Sequence, residues 1–96
     1  MTYDELDKYL GKSERPLPSP LTRHNTVVWM RWDDGIVVTL YRTDILCFYP
    51  SGVIELRRGK WSTPTTKHRM NEFLPSGWSV GAGYGKFKRG WVLYHD

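Results

Sequence analysis

Thr26-Val27-Val28-Trp29-Met30-Arg31-Trp32-Asp33-Asp34-Gly35-Ile36-Val37-Val38-Thr39-Leu40-Tyr41 is the stretch that decides the fold. Its two arms, Thr26 to Trp32 and Ile36 to Tyr41, are rich in β-branched and aromatic residues, which suit a pleated, half-buried surface. The polar insert Asp33-Asp34-Gly35 predicts a tight hairpin, with Gly35 supplying a positive φ. The pattern then repeats. Ile45 to Tyr49 and Val53 to Arg57 flank Pro50-Ser51-Gly52, which predicts a second hairpin, and Thr43-Asp44 reads as the turn between the two. In the fourth strand Ile54 and Leu56 face one way while Val53, Glu55 and Arg57 face the other. That alternation predicts a sheet with one covered face and one wetter face.

Outward from the hairpins the chain reads as helix on either side. Thr2 and Glu5 have capping-box spacing, with Asp4 and Glu5 in a first turn that favours acids. Tyr3, Leu6, Tyr9 and Leu10 form an apolar stripe that Gly11 ends. So short a helix needs a surface to dock on, or serves as an exchangeable arm in a homodimer. Arg15 to Asn25 is a linker in which Pro16, Pro18 and Pro20 exclude helix and central strand and favour extended backbone. Pro64 to Leu74 predicts the one substantial helix, capped by Thr63 or Thr65, with Met70, Phe73 and Leu74 on its buried face. Trp78 to Ala82 and Trp91 to His95 read as a last strand pair flanking the glycine-rich segment Gly83 to Gly90. The fold class expected is α+β: an antiparallel sheet of about five or six strands, one packed helix and a short N-terminal helix. The expected organisation is a helix in 1–13, a proline-rich linker in 14–25 and a single domain in 26–96.

With 96 residues the chain has room for one core. Five Trp and six Tyr exceed what a minimal core needs, so exposed rings are expected. The single cysteine, Cys47, cannot make an internal disulfide and reads as a buried hydrophobe in a reducing cytoplasm. No apolar stretch approaches the roughly 18–20 residues of a membrane span, and the acidic start lacks the pattern of a signal peptide. The charge is uneven. Residues 57–96 hold eight cations and two carboxylates, a net of +6; residues 1–14 carry −2 and residues 15–56 sum to zero. A basic end of this kind points to a polyanion or an acidic protein surface as partner.

Three segments of the basic end are candidate sites. In Gly83 to Gly90, Tyr84 and Phe87 could stack on bases while Lys86, Lys88 and Arg89 neutralise phosphates; the competing reading is a hairpin tip with solubilising lysines. At the start of the long helix, Thr65, Thr66, Lys67 and Arg69 could hold an anion on free backbone N–H groups, or the threonines could cap and the cations stay solvated. In Arg57, Arg58, Lys60 and Trp61, the cations could flank a phosphate and the ring stack, although a tryptophan entering a helix is more often a core anchor. Catalysis finds little support. His24, His68 and His95 show no metal-ligand spacing, so no metal and no cofactor is expected. Asp33-Asp34 and Asp44 read as turn-formers. His68 with Lys67 or Arg69 could in principle serve a metal-free nuclease, but the expectation is that the protein is not an enzyme.

Several phrases occur together: Leu10-Gly11-Lys12-Ser13-Glu14-Arg15, Leu40-Tyr41-Arg42-Thr43-Asp44-Ile45, Tyr49-Pro50-Ser51-Gly52, Trp61-Ser62-Thr63-Pro64-Thr65-Thr66-Lys67-His68-Arg69-Met70-Asn71 and Gly90-Trp91-Val92-Leu93-Tyr94. As a set they resemble a family of small proteins of bacteriophages that infect actinobacteria. The Trp-x-Thr-x-Thr-Thr-x-x-Arg-Met-Asn phrase is the most specific part. Tyr41 stands where that family commonly has histidine, and Lys60 where it commonly has a second glycine. The resemblance implies phage origin and action in the host cytoplasm, and no particular activity. The function expected is nucleic-acid binding through the basic aromatic C-terminal surface; the alternative is inhibition of a host or antiphage-defence protein (anti-CRISPR-like or similar) through an acidic surface on it.

Overall fold

The computed structural model describes residues 1–21, 24–57, 64–82 and 91–95, with Pro64, Ala82 and residues 91–95 described by backbone alone. Among the described residues two helices and seven strands run in the order α1 (Tyr3–Leu10), β1 (Leu17–Pro18), β2 (Thr26–Met30), β3 (Ile36–Leu40), β4 (Thr43–Phe48), β5 (Ile54–Leu56), α2 (Pro64–Phe73), β6 (Trp78–Ala82) and β7 (Trp91–His95). The fold is α+β, as the sequence predicts. The strands form a five-stranded antiparallel sheet in the order β1-β2-β3-β4-β5 and a separate two-stranded sheet, β6-β7.

Register explains the core. Leu17 pairs with Val28, Val28 with Val38, Val38 with Leu46 and Leu46 with Leu56, so one apolar row crosses all five strands. A second row runs Met30, Ile36, Phe48, Ile54. Since side chains alternate between faces, both rows point the same way. Leu6 and Leu10 of α1, Met70 and Phe73 of α2, Leu74 just past its end, and Val80 of β6 complete a single cluster with them. Both helices therefore cover one face of the sheet. Burying a leucine contributes about 1.5–3 kcal/mol, which is what holds an eight-residue helix that would be marginal alone. The capping box of α1 is formed, with Glu5 N–H donating to Thr2 Oγ1 (3.3 Å) and Thr2 N–H to Glu5 Oε1 (3.1 Å).

Several local expectations need correction. The linker contributes β1, an edge strand of two residues, where a proline costs no ladder hydrogen bond. Strand β2 ends at Met30, not Trp32. In its hairpin the residue at positive φ is Asp34 (65°), not Gly35. Glycine is needed at 35 for space: a Cβ there would lie 3.0 Å from Asp33 Oδ1 and 3.0 Å from Cys47 Sγ. The turn between β3 and β4 is Tyr41-Arg42, since Leu40 pairs with Thr43; Tyr41 takes φ 56°. Thr43 and Asp44 open β4, and a bulge beside them, marked by the register shift at Val38/Thr39, lets Ile45 turn into the core. Thr65 lies inside α2 rather than capping it, and Thr63 lies outside the described residues.

Candidate interaction surface

The sheet face away from the helices carries the row Trp29, Val37, Cys47, Glu55. Val37 and Cys47 are nearly fully buried although both described helices pack on the opposite face. Larger neighbours on the same face form a bonded fabric around them. Trp29 Nε1 donates to Thr39 Oγ1 (2.9 Å), which donates to Asp44 Oδ1 (2.7 Å). Arg31 grips Asp33 in a fork, Nε to Oδ1 at 2.9 Å and Nη2 to Oδ2 at 2.6 Å. The same guanidinium donates to the Tyr49 hydroxyl (3.0 Å) and lies 5.5 Å from that ring's centroid. The hydrogen bond from Arg31 holds the Asp33 carboxyl down at about 2, with the Gly35 N–H a lesser contributor. Asp33 is thus a permanently ionised brace at neutral pH, unsuited to proton transfer.

These contacts fix the β2–β3 turn. Arg31 N–H donates to Gly35 O (2.7 Å), Asp34 N–H to Arg31 O (3.1 Å) and Gly35 N–H to Asp33 Oδ1 (3.0 Å). From α1 the Tyr3 hydroxyl donates to Asp34 O (2.9 Å). Burial, then the nearby carboxylates of Asp7, Asp34 and Asp4, push the Tyr3 hydroxyl above its usual pKa, so it stays a donor. The turn thus braced presents Trp32 at 91% exposure. Tryptophan is highly buried on average, and the alternation of β2 predicts Trp32 as its last strand residue, whereas the strand ends at Met30 and leaves the ring in the turn. Tyr41, 69% exposed in the turn at the other end of β3, is the next most open ring among the described residues.

The basic candidates fare differently. Arg58, Lys60, Trp61, Tyr84, Lys86, Phe87, Lys88 and Arg89 lie outside the described residues. Arg57 pairs with Glu55 across two exposed side chains. Arg69 Nη1 meets Glu72 Oε1 at 2.8 Å with the guanidinium largely covered. Thr66 is buried, Thr65 is exposed, and Lys67, half-buried, has no carboxylate partner among the described residues. The Trp61–Asn71 phrase therefore ends in structural contacts: Met70 fills the core, and Asn71 pairs with Val80 through Nδ2–H to Val80 O (3.1 Å) and Val80 N–H to Oδ1 (2.6 Å). His68 Nε2 also sits against Glu72 Oε1, at 3.0 Å, the same oxygen that Arg69 Nη1 meets.

Among the described residues no three His, Cys, Asp or Glu side chains are placed to hold a metal ion, and no helix is long and apolar enough to cross a membrane. An apolar groove of about 240 Å³ lies between β5 and the end of α2, lined by Gly52, Ile54, Leu56, Leu74, Pro75 and Trp78, with no charged group in that lining. No protein-family model, curated protein or solved structure matches the chain.

Proposed function

We propose that the protein is a non-catalytic phage-type accessory protein of the host cytoplasm that acts by binding, and that it seats on a host or antiphage-defence protein and inhibits it. The observation that carries this reading is a contrast among the described residues, between two paired arginines and one open ring. Arg57 and Arg69 are each neutralised by a carboxylate of their own segment, Glu55 and Glu72, whereas Trp32 stands open on a rigid turn. Paired arginines offer little to a phosphate backbone, which is bound by releasing its counterions to free cations. Rigid exposed aromatics are what protein interfaces use as anchors.

A second reading, nucleic-acid binding through the basic aromatic C-terminal surface, is favoured by the net +6 of residues 57–96. One experiment separates the two. Tagged protein is used to capture partners from actinobacterial host lysate with and without nuclease, beside DNA and RNA titrations at about 50 and 200 mM salt. The expected result is a stoichiometric, nuclease-resistant complex and weak affinity for bare nucleic acid. A nuclease-sensitive catch overturns the first reading, above all if affinity falls steeply with salt and disappears when Lys86, Lys88 and Arg89 all become Ala.

A further inference from the structure

Trp32 is the largest unexplained feature of the described surface. Every bond that shapes its turn is made by a neighbour: the backbone groups of Arg31, Asp34 and Gly35, the Arg31–Asp33 fork, and the Tyr3 hydroxyl from α1. The indole itself, 91% exposed, supports nothing in the fold. A serine or asparagine there would serve the turn as well and solvate better.

Charge around the ring is distinctive in a chain of net +4. Arg31, the nearest cation in sequence, is held by Asp33. Asp34 is exposed, and the Tyr3 hydroxyl bonded to its carbonyl brings the α1 carboxylates Asp4 and Asp7 to the same corner. Among the described residues, an acidic collar of Asp4, Asp7 and Asp34 thus lies at the turn that carries the indole. Such a collar disfavours phosphates.

We propose that the Trp32 turn is the docking anchor of the protein, an indole that enters an apolar socket rimmed by Lys or Arg side chains on a protein partner. This rests on the protein-binding reading above and names the site and partner chemistry for it. The geometry suits the role. A ring already held outward on a braced turn loses little conformational freedom on binding, and a tryptophan filling a desolvated pocket is typical of the few side chains that dominate an interface. The collar would steer the encounter and reject acidic partners.

The test runs wild type, W32S and the D4N/D7N/D34N triple variant in parallel. Each is used for capture from nuclease-treated actinobacterial lysate, and the partner recovered by wild type is then purified and titrated. Because the indole has no contacts to lose, W32S is expected to melt with wild type. It should bind the purified partner at least about 30-fold more weakly, equivalent to about 2 kcal/mol. The triple variant should associate more slowly and show a flatter salt dependence. A partner bound by W32S within threefold of wild type overturns the anchor while leaving the protein-binding reading standing. Equal salt dependence in the triple variant overturns the cationic rim. If no protein survives nuclease treatment, the protein-binding reading falls and takes the anchor with it.

Discussion

Asn71→Ala tests whether α2 and the small sheet are joined as the structure implies. The Asn71 amide behaves like a strand residue, accepting from Val80 N–H at 2.6 Å and donating to Val80 O at 3.1 Å. Val80 is 5% exposed, so water cannot fully replace either bond. A buried polar group left without its partner costs about 1–3 kcal/mol, and here two are orphaned together in a partly buried site, for a total of about 3 kcal/mol. For a domain whose whole stability is of the order of 5–15 kcal/mol, that is a large fraction. It corresponds to a fall of roughly 12–24 °C in Tm. The assay is thermal unfolding followed by circular dichroism, with urea unfolding to check that the m-value is unchanged. Asn71→Asp sharpens it. At neutral pH the carboxylate can still accept from Val80 N–H but cannot donate to Val80 O, so it should lose part of the same stability. Acidification should restore some of that loss relative to Asn71→Ala, because only the protonated carboxyl can donate. A Tm for Asn71→Ala within about 3 °C of wild type would refute the idea that this pair ties the helix to β6.

Gly35→Ala should destabilise by about 1–3 kcal/mol, because its Cβ meets Cys47 Sγ and Asp33 Oδ1 at 3.0 Å; denaturant unfolding reads it, and a neutral result would mean that these neighbours yield freely. Leu6→Ala should cost about 2–5 kcal/mol, since Leu6 is fully buried and α1 is too short to persist undocked; proteolysis near residues 11–16 should rise with it, and an unchanged digestion pattern argues against docking as the source of its order. In acid, the Arg31–Asp33 fork contributes stability that is present above the unfolded carboxyl pKa, near 3.9. That contribution is lost as pH falls toward the folded value of about 2. Asp33→Asn should flatten this part of the acid profile, and a wild-type-like profile in that variant removes the fork from the account.

The two hairpins, both helices and the final strand pair were legible because each rests on local rules: alternation of apolar residues, a capping box, turn residues, a stripe of Met70, Phe73 and Leu74. Their boundaries were less so. The β2–β3 hairpin was read through Gly35's freedom, whereas the chain needs Gly35 because Cys47 on β4 approaches it, a contact between strands that no local pattern encodes. The bulge at Ile45 was hidden for the same reason, as was the burial of Val37 and Cys47 on the face opposite the described helices.

What the sequence determined by itself was the two helices, the two hairpins, the final strand pair and the amount of charge at each end, since propensity and composition are properties of neighbours along the chain. What only the tertiary structure decided was which charges are free and which rings are open. Arg57 and Arg69 count as cations in any sequence sum, but folding lays each beside a carboxylate. Trp32 reads as one more strand residue, but folding ends the strand before it and leaves the ring outside. Availability to a partner depends on three-dimensional neighbours, and those exist once the sheet has chosen its register and the helices the face they cover.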